Sequence, residues 1–293
     1  QKGEIVLVIY RNEFDEFFNQ FLTEVTKRGA YYLIAHNNTN HIQMLMKNLE
    51  PSELKTNIFY DRKDFPKISA VVNFYLPFRL DNPKLATPEK LKAYEEGLSK
   101  FYRLVNRNKD TKFYNFLGVL YDETIFSPEQ RISLSDSFWK ALNINYKLLS
   151  KKCFNLKENL VTKSKLSITK DENNLSLDIT DSLMLYNDGL FTSFFNILIE
   201  DLPAGAFYII PDVDTVEGKI SGFYCYIEDK KVENITLTFE KGKLKGIEAP
   251  ENLELIENCF NNAQGNNEQI GYIVVGLNPR LKTDMRNSFL NPK

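Results

Sequence analysis

The sequence predicts an α/β protein, α+β overall, in which a mostly parallel N-terminal domain precedes a mainly antiparallel, β-rich domain. Two observations lead to this prediction. Through residues 1–157, short apolar runs alternate with segments of helical periodicity, which is typical of a parallel sheet covered by helices. Through residues 158–293, strand-like runs follow one another between turn residues, with a single helical segment among them. We therefore predict an α/β sandwich domain over 1–157 and a β-rich domain over 158–293.

The first half opens with Glu4–Tyr10, a continuous apolar run of the kind found in strands buried on both faces. Phenylalanines at helical spacing predict a helix over Glu13–Arg28, and Gly29 ends it as a C-terminal cap. Further strands are predicted at Tyr31–Ala35, Asn57–Tyr60, Ala70–Tyr75 and Phe113–Leu120. Further helices are predicted at Thr39–Leu49, Pro88–Asn106 and Pro128–Leu149, the last as one or two helices with Ser127 as N-cap.

The second half begins with two alternating runs, Lys165–Thr169 and Leu175–Ile179, which flank the polar residues 171–174 and predict a hairpin. A helix is predicted at Glu251–Asn262, between Pro250 and Gly265. The remaining strands are predicted at Phe207–Ile210, Phe223–Ile227, Ile235–Phe239, Leu244–Ile247 and Gln269–Leu277.

Composition and charge exclude several classes of protein. The 293 residues are 43% hydrophobic and 26% charged, with a net charge of −2, which argues against nucleic acid or an anionic membrane as the main partner. No apolar run reaches the length of a membrane helix. The three cysteines are widely spaced and suggest neither a disulfide framework nor a zinc site, so we expect a reducing, cytoplasmic setting. Most of the 22 phenylalanines and 15 tyrosines are expected in the core, but tyrosine is also enriched at binding surfaces.

Motifs for cofactors and nucleophiles are absent from the sequence. No Gly-x-Gly-x-x-Gly follows the first strand, and neither a phosphate-binding loop nor a nucleophile elbow occurs. His36 and His41 lie five residues apart without a third ligand nearby, so we expect polar loop residues. Asp212, Asp214 and Glu217 follow a strand and could bind a hard cation, but their spacing lacks the calcium-loop pattern. We favour a solvated loop there.

Several segments together resemble a known family. They are the hairpin at 165–179, the turn Leu202-Pro203-Ala204-Gly205, the loop from Pro211 to Gly218, and the segment 270–279, which ends in Gly276-Leu277-Asn278-Pro279. Their order and spacing resemble the dimeric metalloaminopeptidases of the aminopeptidase S and aminopeptidase T type. The iron-dependent dihydroxypyridine ring-cleaving dioxygenases share that fold. The resemblance covers most of the chain and implies an aminopeptidase-like second domain and a homodimer.

The chain departs from this family at the metal ligands. The family turn reads Leu-Pro-x-Gly-Glu with the Glu as a ligand, whereas this sequence has Ala206 there. A later strand carries Gly-Glu in the family, whereas Tyr272 follows Gly271 here. The family's other ligands lie beyond the Asn-Pro segment, and we expect none of them in the residues up to Lys293. A catalytic divalent site needs about three protein ligands, so we predict no catalytic residue, no metal ligand and no cofactor.

These departures predict a non-catalytic, peptide-binding protein with a degenerate metalloaminopeptidase-like fold. It would bind a precursor peptide, or a peptide-modifying enzyme, in a pathway that makes natural products from ribosomal peptides. Arg280 is expected to pair with a ligand carboxylate. The candidate ligand-binding residues are Tyr186, Phe194, Ala206, Tyr208, Asp212, Asp214, Tyr272 and Arg280. Core packing is the competing explanation for each of the aromatic residues among them.

Three other functions stay open. The first is a metal-dependent aminopeptidase or ring-cleaving dioxygenase that uses relocated carboxylates and the His36/His41 loop. The second is a metal-independent enzyme in which Tyr272 acts as a general acid or base beside Asp212 or Asp214. The third is a structural partner that dimerises through the β-rich half.

Overall fold

The structure is a computed structural model that describes residues 2–10, 15–36, 39–56, 68–75, 87–107, 111–117, 128–170, 173–192, 199–227, 230–262 and 265–281. These residues form a mixed α/β fold with one parallel sheet and several antiparallel ones, which confirms the predicted fold class. The chain divides into two units. Unit 1 comprises Gln1–Ser150, Asn187–Gly205 and Asn278–Lys293, and unit 2 comprises Lys151–Tyr186 and Ala206–Leu277. The chain thus passes between the units several times, whereas the sequence suggests one boundary near residue 157.

The strands are β1 (Ile5–Tyr10), β2 (Tyr31–His36), β3 (Ile68–Tyr75), β4 (Lys112–Leu117), β5 (Lys165–Lys170), β6 (Asn173–Asp178), β7 (Leu183–Tyr186), β8 (Ile199–Leu202), β9 (Ala206–Ile210), β10 (Gly218–Ile227), β11 (Lys230–Glu240), β12 (Lys243–Glu248) and β13 (Ile273–Gly276). The helices are α1 (Asp15–Lys27), α2 (Thr39–Asn48), α3 (Pro51–Leu54), α4 (Pro88–Arg107), α5 (Pro128–Leu142), α6 (Tyr146–Val161) and α7 (Leu253–Asn262). A 3₁₀ turn at Val213–Thr215 follows β9.

Most elements lie where the sequence predicts them, with several differences. The strands β10 and β11 each begin five residues earlier than the predicted Phe223–Ile227 and Ile235–Phe239. The predicted segment Pro128–Leu149 forms two helices, and the second continues to Val161. The last strand is shorter than predicted, since residues 269–272 precede β13 as a turn and coil. The elements α3, β7 and β8 were missed because each has only four residues, too few to show a period. The predicted strand Asn57–Tyr60 and the Ser127 cap lie outside the described residues.

Unit 1 is built on a parallel sheet with the strand order β2-β1-β3-β4-β8. On one face Leu7 and Val71 are buried in the cluster that contains Phe101 of α4. On the other face Val8 is buried in the cluster that contains Phe18 of α1. Because helices contribute to the clusters on both faces, the inner strand β1 is apolar, as the continuous run predicts.

Unit 2 consists of antiparallel sheets. The strands β5 and β6 form the predicted hairpin, β10-β11-β12 form a meander, and β13-β9-β7 form a third sheet. The meander buries Val232 and Ile235 against Ile256 of α7. Within the described part of the chain, no helix combines the length and the apolar character that crossing a membrane would require.

Candidate functional site

The β13-β9-β7 sheet brings together three of the predicted site residues. In its register, Val274 lies opposite Tyr208, which lies opposite Leu185, and Gly276 lies opposite Ala206. Side chains two residues apart on a strand share a face, so Ala206 and Tyr208 point the same way. The ring of Tyr272, just before β13, meets the ring of Tyr208 edge-to-face at a centroid distance of 5.9 Å. We call the surface formed by Leu185, Ala206, Tyr208, Tyr272 and Val274 the tyrosine face.

Tyr186 does not belong to the tyrosine face. It lies opposite Phe207 in the register and stacks on that ring, with a centroid distance of 6.1 Å and planes 9° apart. Both side chains are buried together with Met184 and Ile209. The competing explanation of core packing therefore describes Tyr186 better than ligand binding does.

The tyrosine face is partly open to solvent. Tyr272 is 60% exposed, and Tyr208, Leu185 and Val274 are half-buried. Within the described residues, β13 pairs with β9 on one side and with no strand on the other, so it is an edge of its sheet. The site therefore combines a half-exposed apolar surface with a strand edge whose outward backbone groups are unpaired by the sheet.

The donor atoms at this face do not suit the metal that the family resemblance implies. Ala206 offers a methyl group, and its partner in the register, Gly276, offers none. Tyr272 offers only a phenol. Among the described residues, no three histidine, cysteine, aspartate or glutamate side chains lie close enough to hold a metal ion. A catalytic divalent cation needs about three such ligands, so no chemical step through a metal is assigned to these residues.

The three carboxylates of the following loop are engaged in shaping it. Asp212 accepts a hydrogen bond from the backbone N–H of Asp214, whose carboxylate accepts one from Gln269 Nε2 at 2.9 Å. Glu217 accepts one from the backbone N–H of Lys241 at 2.7 Å. All three carboxylates are exposed. These bonds favour the solvated loop, and the bond to Gln269 holds the segment that leads to Tyr272 beside it.

Other predicted residues lie elsewhere or cannot be placed. Arg280 is an exposed residue of unit 1, and its backbone N–H donates to Asn278 Oδ1 at 3.0 Å. His41 is half-buried in α2. Phe194 and the side chain of His36 lie outside the described residues.

Unit 1 contains a pair of buried acids that no sequence pattern predicts. Asp188 is fully buried and Glu200, on β8, is 2% exposed. The two oxygens of Glu200 accept from the backbone N–H groups of Gly189 at 3.1 Å and Phe191 at 3.2 Å. Asp188 accepts from the backbone N–H of Leu190 and from the hydroxyl of Thr192. The pair therefore organises the turn at 188–192, and an acidic residue in a short strand gave no signal of this role.

Burial controls the electrostatics of this acid pair. It raises the pKa of Glu200 to about 8, and the nearby carboxylates of Asp188 and Asp201 act in the same direction, while the bonds from Gly189 and Phe191 oppose the rise. Tyr114 lies opposite Glu200 on β4, and burial, with the charges of Glu200 and Asp188, raises the pKa of its phenol. Both Glu200 oxygens already accept backbone bonds, so the pair has a structural rather than a catalytic geometry.

A polar ladder crosses the opposite face of the same sheet. Asn73, Asn115 and Asp201 are direct partners in the register of β3, β4 and β8. Asn73 Nδ2 donates to Asn115 Oδ1 at 2.9 Å, and Asn115 Nδ2 donates to Asp201 Oδ1 at 2.9 Å. Burial raises the pKa of Asp201, and the bond from Asn115 lowers it in part. The ladder satisfies polar groups that a parallel sheet would otherwise bury without partners.

Two of the segments that carry the family resemblance meet in unit 1. Asn278 Nδ2 donates to the carbonyl oxygens of Ala141 at 3.0 Å and Ala204 at 2.8 Å. Gly205 has a φ of +130°, and a Cβ built on it would lie 2.7 Å from the backbone nitrogen of Asn278. The turn at Leu202–Gly205 is therefore held directly against the Asn-Pro segment.

Replacement of Asn278 by alanine tests this contact. The variant leaves the carbonyl groups of Ala141 and Ala204 without their donor, and each buried unsatisfied group costs about 1–3 kcal/mol. We therefore expect Asn278→Ala to lower the free energy of unfolding by about 2–4 kcal/mol in urea titrations followed by circular dichroism. Arg280→Ala, which removes only an exposed side chain, should stay within about 0.5 kcal/mol of the wild type. Equal stabilities for the two variants would contradict this assignment.

Comparison with known proteins supports the fold and does not identify a family. No protein-family model matches the chain, and no curated protein matches its sequence. Among solved structures, wild-type AmpT from Thermus thermophilus superposes with a TM-score of 0.69 at 14% sequence identity, over 99% of this chain and 78% of that chain. At this identity the likeness concerns the fold alone. The chain therefore has an aminopeptidase-like fold.

Proposed function

We propose that this protein binds peptides at the tyrosine face without cleaving them, as a degenerate member of the metalloaminopeptidase-like folds. One observation supports this proposal above the others. Ala206 and Tyr272, which stand where the resembled family has its first two carboxylate ligands, lie on one sheet face on either side of Tyr208, with Ala206 buried and Tyr272 exposed. Where the resembled family has two metal-binding carboxylates, this surface has a methyl group and an aromatic ring.

Aromatic area of this kind is suited to binding rather than to turnover. Tyrosine supplies a large apolar contact surface with a polar tip and loses little conformational freedom on binding. A neutral phenol and a methyl group cannot replace two carboxylates around a divalent cation. The contacts therefore favour retention of a ligand over hydrolysis of it.

The biological setting forms part of the proposal. We place the protein in the cytoplasm, where it would hold a ribosomally made precursor peptide or dock to the enzyme that modifies it. Two copies would associate through the β-rich half, as the family resemblance implies. A protein in this role needs an accessible peptide surface and no catalytic group of its own.

Titration calorimetry with blocked heptapeptides tests the proposal. The series is Ac-Thr-Val-Thr-Xaa-Thr-Val-Thr-NH2, in which Xaa is lysine, norleucine, tyrosine or glutamate. We expect at least one member to bind with a Kd below about 1 mM, and Tyr272→Ala to weaken that binding about tenfold, which corresponds to about 1.4 kcal/mol. Tyr31→Ala, which removes an exposed tyrosine from β2 in unit 1, is the matched control and should leave binding unchanged.

Two outcomes would contradict peptide binding without catalysis. One is the failure of every heptapeptide to bind at about 1 mM. The other is a stoichiometric content of zinc, cobalt or iron in the purified protein, measured by plasma mass spectrometry, together with release of amino acids from a peptide substrate. That result would support the metal-dependent alternative with relocated ligands.

A further inference from the structure

We infer that the ligand of the tyrosine face is an extended peptide with a basic side chain, which pairs with the outer edge of β13 and places a lysine or arginine beside Tyr272. This inference rests on the proposed function and specifies the class of ligand for the same site. It depends on three features of unit 2: an unprotected strand edge, an acidic end of the sheet, and an exposed aromatic ring between them.

The edge of β13 lacks the usual protection against strand addition. Natural edge strands carry a lysine, a proline or a bulge that blocks pairing with another chain. The stretch Gly271-Tyr272-Ile273-Val274-Val275-Gly276 contains no charge and no proline, and its pairing with β9 runs without a register shift. Val275 is 37% exposed. An extended peptide can therefore add to this edge and satisfy backbone donors and acceptors along its length.

The sheet has an acidic end next to Tyr272. Leu183 lies opposite Ile210, so Asp181, before β7, and Asp212, after β9, leave the sheet at the same end. Asp214 joins them through its bond to Gln269, three residues before Tyr272. All three are exposed, and no ion pair to them is formed by other described residues.

No basic residue lies on the strands to balance these acids. The segments 180–186, 206–218 and 265–277 contain no lysine, arginine or histidine. Basic groups reach the loop from neighbouring elements: Gly242, flanked by Lys241 and Lys243, packs against Val213, and Lys165 lies opposite Asp178, whose N–H donates to Thr215. None of these lysines forms an ion pair with Asp181, Asp212 or Asp214 among the described residues, so the three acids at the Tyr272 end of the sheet are available to a charged ligand. A partner with positive charge complements these acids.

The exposed ring of Tyr272 supplies the specific contact for that charge. A lysine or arginine over a tyrosine ring gains about 0.5–2 kcal/mol, depending on exposure. The methylene stem of the same side chain can pack along Tyr208 and Val274 while its charged end reaches the carboxylates. In an extended peptide, alternate residues then face the same surface, so apolar neighbours two positions away would rest on the remaining tyrosine face.

The same heptapeptide series tests the preference for a basic side chain independently of peptide binding itself. At low salt we expect the lysine peptide to bind about tenfold tighter than the norleucine peptide, and the glutamate peptide to bind more weakly than both. The advantage of lysine should shrink at 0.5 M NaCl, since exposed charges are screened. The double variant Asp212→Asn, Asp214→Asn keeps the side-chain acceptor that caps the turn. It should abolish the preference for lysine without weakening the norleucine peptide.

Control measurements distinguish three claims: the basic side chain, the strand addition and peptide binding itself. Asp136→Asn removes an exposed acid of unit 1, which pairs with Lys140, and should leave the preference for lysine intact. A lysine peptide N-methylated at alternate residues should lose binding if it pairs as a strand. Equal affinity of the lysine and norleucine peptides would overturn the basic ligand while peptide binding stands. Undiminished binding of the N-methylated peptide would overturn strand addition, and the absence of binding by every peptide would overturn the proposed function as well.

Discussion

Gly205→Ala is expected to be among the most destabilising single substitutions in unit 1, at a cost of about 2–6 kcal/mol in the free energy of unfolding. The residue has a φ of +130°, a region essentially restricted to glycine, and strain there costs about 1–3 kcal/mol. The added methyl group would also lie 2.7 Å from both the nitrogen and the Cβ of Asn278. Overpacking against backbone costs about 1–3 kcal/mol more, because the Asn-Pro segment has to move.

Urea unfolding monitored by circular dichroism measures this effect. Gly222→Ala is the matched control, since its φ is +80° but a Cβ there meets no atom within 4 Å. The control carries backbone strain alone, so Gly205→Ala should lose distinctly more stability than Gly222→Ala. Comparable losses would mean that the contact with Asn278 contributes nothing.

The second large effect is a dependence of stability on pH through Glu200. Its pKa is raised from 4.5 to about 8 in the folded protein, mainly by burial. Between these values the folded state holds a proton that the unfolded state has released, so stability falls as pH rises from about 5 to about 8 and then levels off. With about 1.4 kcal/mol for each pKa unit, the total fall is a few kcal/mol. The raised pKa of Asp201 contributes in the same direction at lower pH.

Glu200→Gln isolates this contribution. The amide cannot ionise, and its oxygen retains one of the two backbone acceptor positions that Glu200 supplies to Gly189 and Phe191. We expect the variant to lose most of the fall in unfolding free energy between pH 5 and 8, measured by denaturant titration at each pH. Glu95→Gln, at an exposed position on α4, should keep the wild-type slope. A wild-type slope in Glu200→Gln would show that Glu200 titrates normally.

The sequence predicted the elements in which enough consecutive residues show a pattern of apolar positions. The continuous run that became β1 and the alternating runs that became β5 and β6 were both visible. The acid pair was not visible, because strand pairing between segments distant in the chain places Glu200 opposite Tyr114, and the turn after Asp188 then bonds to Glu200. Burial of an acid is a tertiary property that a single short strand does not indicate.

The residues of the candidate site were also predictable only in part. The resemblance indicated Ala206 and Tyr272, and Tyr208 was a candidate as an aromatic residue of the β-rich half. The structure places all three on one face of the sheet. Tyr186 lies on the other face of this sheet, because it is opposite Phe207 in the register. A shift of one residue along a strand moves a side chain to the other face. Composition can suggest that an aromatic residue binds a ligand, but strand register decides which surface it occupies.

The route of the chain through unit 2 also has a consequence for protein engineering. The segment Asn187–Gly205 belongs to unit 1, yet it joins β7 and β9, which are neighbours in one sheet. Tyr186 lies opposite Phe207, so the two ends of the excursion are separated by about the width of a strand pair. With respect to unit 2, this segment is an insertion at the tip of the hairpin formed by β7 and β9. A two-residue Asn-Gly turn in place of residues 187–206, which keeps Tyr186 opposite Phe207, would join residues 151–186 and 207–277 into one continuous gene segment, suited to grafting this module onto other scaffolds.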